Sequence, residues 1–225
     1  MDSYKKTAII VGLLFIIATV TAIITIGFIG SNLDTPLDLS LVSENRLQLE
    51  MAVLFWLILA ISVTIIGFMM YPIIKKYNKG IALGYTSFRL IESICIIISA
   101  IALLSLLSLS QEYTTGSIVT DNYQSIGSLL LALQHWSFEI GTLVFLGLGG
   151  LFIYYPLYEL NLVPKVLSIW GLFGAVCVLL YGILSIFGLT AGSLILNLLA
   201  APIAIQEMVF AVFLIGKGFS ITTVD

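Results

Sequence analysis

Apolar residues run through this chain in blocks too long for a soluble core, and the polar residues between the blocks come in short clusters. The first block, Thr7 to about Gly30, spans roughly 24 residues, beyond the roughly 7–15 of a signal-peptide core. No Ala-x-Ala cleavage site follows it, so a retained transmembrane helix is expected. Further blocks cover Leu47–Tyr71, stopping at Pro72, then Ile81–Leu109, Ile126–Tyr154, Val166–Leu189 and Ser193–Gly216. About 20 apolar residues suffice to cross a bilayer, and the fourth block is long enough to tilt. Between them lie polar loops at Ser31–Arg46 and Gln111–Ser125, the basic stretch Lys75–Gly80, and turns at Pro156–Pro164 and Ala191-Gly192. The pattern predicts an all-α fold: one domain over residues 1–225, a polytopic membrane bundle of six transmembrane helices.

Composition agrees with the pattern and narrows the partners. Hydrophobic residues make up 60% and charged residues 9%, with a mean hydropathy of +1.16, which excludes a soluble globular domain. A net charge of −3 without a long basic block argues against nucleic acid, so the lipid bilayer is the expected partner. Cys95 and Cys177 sit inside apolar blocks and read as small core residues. Lys5, Lys6, Lys75, Lys76, Lys79, Lys165 and Lys217 all fall on one side of a six-span topology, and Arg46 on the other. Positive loops stay inside, so both termini are expected in the cytoplasm, with the chain in the cell membrane.

The exceptions to the apolar pattern carry the candidate chemistry. On the third helix, at about 100° per residue, Tyr85, Thr86, Arg89, Glu92, Ser93 and Ser99 fall within an arc of about 140°. Arginine cannot shed its charge, and mid-bilayer it costs about 2.5 kcal/mol on insertion scales. Glu92, one turn on, can pair with Arg89 but leaves most of its donors unused. The fourth helix supplies Gln134, His135 and Glu139. His135 is the only histidine, and His-x-x-x-Glu offers two metal ligands that nothing else completes, so no metal or cofactor is expected.

The sixth helix supplies Gln206 and Glu207. Ser193, Asn197, Ala200, Ala204 and Ala211 share the Glu207 face, and Pro202 frees a backbone carbonyl nearby. At about 1.5 Å per residue these groups reach the central and cytoplasmic layers, where Arg89, Glu92, Glu139 and Glu207 can share one cluster. A sealed ionic knot needs one carboxylate; three facing one arginine favour a working polar cavity. The candidate ligand or proton site is therefore Arg89, Glu92, His135, Glu139, Gln206 and Glu207.

Small-residue ridges at Gly80-x-x-x-Gly84, Gly147 with Gly149 and Gly150, and Gly171-x-x-x-Ala175 favour close packing inside the bundle. The echo between Tyr71-Pro72 and Tyr155-Pro156 needs no internal repeat, because Tyr belongs at interfaces and Pro at helix ends.

Several segments also carry a resemblance. Phe88-Arg-Leu-Ile-Glu-Ser93, His135-Trp-Ser-Phe with Leu146-Gly-Leu-Gly-Gly150, Leu162-Val-Pro-Lys-Val-Leu-Ser-Ile-Trp-Gly171 and the run Gln206–Gly218 resemble a prokaryotic family of multi-pass membrane proteins, domain of unknown function 4386. The resemblance covers nearly the whole chain. Its most specific parts are the arginine–glutamate pair, the histidine and the final glutamate; Glu139 lies outside its pattern. It implies a membrane fold and no particular activity.

Three functions are weighed on the residues. The first is binding or transport of a small anionic or lipid-like ligand with proton coupling, Arg89 meeting the ligand and the carboxylates exchanging protons. The second is a structural or accessory membrane subunit. The third is a membrane-embedded lipid-modifying enzyme using His135 and a carboxylate as acid and base; no serine or cysteine nucleophile with a recognisable elbow supports it.

Overall fold

The computed structural model describes residues 3–33, 36–116, 122–189 and 194–220. Among these, all regular structure is helical. The helices are α1 (Ser3–Ile29), α2 (Leu39–Glu44), α3 (Arg46–Ile74), α4 (Lys79–Thr114), α5 (Asn122–Glu139), α6 (Leu146–Glu159), α7 (Lys165–Ile186) and α8 (Leu194–Gly216). A π-helical segment, Ile140–Phe145, joins α5 to α6 into one crossing, so the six expected spans are all present. The Ala191-Gly192 turn, Asp34, Asp121 and the side chains of Ser193 and Asn197 lie outside the described residues.

Local chemistry explains where the helices depart from the sequence pattern. Pro72 and Pro156 do not stop their helices but sit inside the last turn, where a missing N–H removes only one bond. The loop after α1 contains α2, whose first amides, on Ser40 and Leu41, are capped by the Asp38 carboxylate at 2.9 and 3.3 Å. Asn78 caps α4 in the same way, donors Gly80 and Ile81 lying 2.8 and 3.1 Å from its Oδ1. α4 continues to Thr114, past the expected end at Leu109, and at about 1.5 Å per residue exceeds a bilayer core of about 30 Å.

Each membrane span packs on the next in sequence, the short α2 rests chiefly on α4, and α8 returns to α1, closing a ring. Large apolar side chains face outward throughout: Ile23, Ile101, Val166 and Val212 are 58–76% exposed, a surface suited to lipid. In lipid, helices associate through close contact rather than water exclusion, and glycines permit it. A Cβ on Gly171 would fall 2.5 Å from the Tyr154 ring, and one on Gly150 would fall 2.7 Å from the Ala175 Cβ. Gly84 likewise accommodates Phe152. The glycine ridges thus pack within the bundle, although Gly80 meets only its own cap at Asn78.

At the lysine-rich end, Lys76 lies over the Tyr4 ring, Lys75 over Tyr71 and Lys165 over Tyr158, at 4.3, 5.9 and 5.1 Å. Amphipathic rings and long cationic side chains at a membrane–water boundary give this arrangement.

Candidate functional site

Arg89 lies ten residues into α4, about 15 Å from its start. Gly67 on α3 makes room for it: a Cβ there would approach the Arg89 Cβ to 3.0 Å. Thr86 fixes the same contact by donating to the Gly67 carbonyl at 3.1 Å. One turn further, Ser93 donates to the Ala60 carbonyl at 2.9 Å and accepts from Thr64 at 2.9 Å. The polar stripe on α4 is therefore spent partly on locking α4 to α3.

The guanidinium uses each of its three nitrogens. Nε donates to the Tyr85 hydroxyl at 3.1 Å, one terminal nitrogen to Glu92 Oε2 at 3.0 Å, and the other to Glu207 Oε1 at 3.3 Å. Phe15 of α1 offers its ring face 5.5 Å away. Side-chain exposure is 5% for Arg89 and Glu92 and 13% for Glu207, so the pair and its bridge to α8 sit away from lipid. Two of the five N–H donors stay free of these three bonds.

Arg89, Glu92 and Glu207 line a cavity of about 360 Å³, joined by Glu139 and Thr142. The π segment brings Glu139 in. A Cβ on Gly141 would lie 2.6 Å from the Cys95 Cβ and 3.4 Å from the Glu92 carbonyl, so only glycine lets this stretch sit so close to α4. Single-turn π segments recur at functional sites, and Thr142 steadies this one by donating to the Phe138 carbonyl at 2.8 Å. Glu139 itself accepts from Ser185 of α7 at 3.0 Å and makes no ion pair with Arg89.

The remaining walls are mostly apolar, including Phe15, Ile26, Val63, Phe138 and Ile203. α1 and α8 touch near the chain termini, where Gly12 faces the Ala211 carbonyl and Phe15 meets Phe210 at 5.6 Å. Two to three turns further along, Ile23 and Ile26 line the cavity yet are 64% and 62% exposed. Ala204 of α8, which also lines the cavity, is exposed too, so the cavity is open on the side where these α1 and α8 residues lie.

Four of the six sequence-picked residues thus come together: Arg89, Glu92, Glu139 and Glu207. The other two are placed elsewhere. His135 stacks edge-on against Trp136 and lines a second chamber with Gln134. Gln206 turns away from the cavity into the α7 contact, where its Nε2 donates to the Leu167 carbonyl at 3.1 Å. Along the α6–α7–α8 contact the buried Ser168 hydroxyl has no hydrogen-bond partner among the described residues. Among the described residues, no three His, Cys, Asp or Glu side chains gather as metal ligands. Phe15, Ser185 and Tyr181 also belong to the site or hold it, and nothing in the apolar blocks that contain them marks them out.

A ring of membrane-crossing helices around a buried ionic cavity defines a multi-pass integral membrane protein with an internal polar site. Residues 10–218 match the family described as domain of unknown function (DUF4386), and the chain belongs to that family. No curated protein and no solved structure matches it.

Proposed function

We propose that this protein binds, and by opening to either side carries, a lipid-like molecule bearing a basic group. The observation behind the proposal is the charge balance in a mostly apolar cavity: one guanidinium against three lining carboxylates. An anionic headgroup would compete with Glu92 and Glu207 for Arg89, whereas an ammonium adds a partner for carboxylates that Arg89 alone does not neutralise. Apolar walls and an entrance facing lipid suit an acyl or alkyl tail. A proton and the ammonium compete for the same carboxylates, so binding one releases the other. That competition is a simple basis for proton coupling, and acid should weaken amine binding.

A photoreactive long-chain amine tests the site. Crosslinks are expected on peptides containing Ile26, Ala200 and Ala204, and an excess of unlabelled decylamine should suppress them. Labelling confined to outward residues such as Ile101, with no competition, counts against the proposal.

We further propose that both termini face the cytoplasm, supported by the gathering of lysines and tyrosines at one end of the bundle. An impermeant external thiol reagent should label a cysteine introduced at Ser40 in intact cells and spare one at Asn78. The opposite pattern reverses the orientation.

A further inference from the structure

A second chamber of about 460 Å³ lies between α1, α3 and α5, and it shares only Ile26 and Phe138 with the ionic cavity. We propose that it is a separate binding site, one that takes the ester carbonyl region of a membrane lipid. The inference stands apart from the amine site and does not depend on it.

Gln134 carries the argument. Its side chain is 94% buried by a residual exposure of 6%, it lines the chamber, and it makes no hydrogen bond to any described residue. A primary amide kept out of water without a partner costs free energy unless something in the chamber meets it. Trp56, 1% exposed, forms another wall by stacking on Phe138 at 5.2 Å, and its Nε1–H has no acceptor among the described residues. The Gln134 amide is therefore the donor that meets the chamber, and the buried Trp56 indole N–H lies behind its wall.

The lining chooses among acceptors. Among the described residues, none that lines it is Lys, Arg, Asp or Glu, which favours a neutral acceptor over a phosphate or carboxylate. Ile29, Leu33 and Leu131 give it apolar walls that suit an acyl chain better than water alone. Gly30 and Leu33 stand just past the end of α1, a helix of about 40 Å, which sets the chamber where acyl chains give way to ester groups. Exposed Ile26 and His135 form its rim, so a lipid can enter from the side. An uncharged carbonyl with an attached chain satisfies all of these features together.

The test compares a diester phosphatidylcholine with its diether analogue, identical in chains and headgroup but lacking the carbonyls. In native mass spectrometry of the purified full chain, the diester should be retained about threefold to tenfold more than the diether, the worth of one or two hydrogen bonds. Gln134→Leu should bring the two to parity. Ala204→Trp, which fills the ionic cavity, should leave the preference intact, so failure of the amine site and failure of this one are told apart. Equal retention by the unsubstituted chain, or a preference that survives Gln134→Leu, overturns the proposal. A readout without substitution near the chamber guards against misfolding: the ¹⁵N-indole resonance of Trp56 should move with the diester and stay with the diether. The same response to both lipids also overturns it.

Discussion

Replacing Arg89 with alanine should destabilise the protein by about 3–5 kcal/mol, the usual result of removing one partner of a buried ion pair. Glu92 and Glu207 would be left facing each other across a space that no longer contains a cation. Arg89→Lys should recover only part of the loss, because an ammonium cannot hold Tyr85, Glu92 and Glu207 in the planar geometry that three guanidinium nitrogens allow. Adding Glu207→Gln to Arg89→Ala should restore stability by removing an unpaired charge. Thermal unfolding of the single and double variants checks this. Strictly additive losses would mean that α4 and α8 do not share the site.

The second large effect is steric. Gly141→Ala places a Cβ 2.6 Å from the Cys95 Cβ, and neither atom is the end of a flexible chain. α4 and the π segment must part, at a cost of about 1–3 kcal/mol for overpacking, and Glu139 should move away from Glu92. Gly27→Ala is the matched control. That glycine also lies in a transmembrane helix, but an added Cβ meets nothing within 4 Å, and helix propensity favours alanine. Unfolding midpoints should fall for Gly141→Ala and hold or rise for Gly27→Ala. Equal behaviour of the two would show that the close approach at Gly141 is not needed.

The fold was legible because a bilayer imposes a length rule that long apolar blocks reveal without further context. Helix ends were less legible. Pro72 and Pro156 resemble stops in sequence, yet a last turn tolerates them, and Asp38 starts a short helix inside what reads as a loop. The Arg89–Glu92–Glu207 contact followed from depth and face, since an uncompensated arginine must find carboxylates at its own level. His135 and Glu139 share a helix face but are one turn apart, and Phe138 with Ile26 divides their two chambers. Gln206 and Glu207 are adjacent, about 100° apart around α8, so only one of them faces the cavity. The π segment, which brings Glu139 to the cavity, had no signal beyond Gly141 in an apolar run. Phe15 over the guanidinium had none at all.

The sign of the ligand is the central claim, and two probes with the same tail and opposite charge test it directly. Decylamine, protonated in neutral buffer, should raise the unfolding temperature of the unsubstituted protein in proportion to its occupancy, while decanoate at the same concentration should not. Glu207→Gln should reduce the decylamine shift. Stabilisation by decanoate and not by decylamine would contradict the account, because it would mean that Arg89 is available to an anion despite the carboxylates around it.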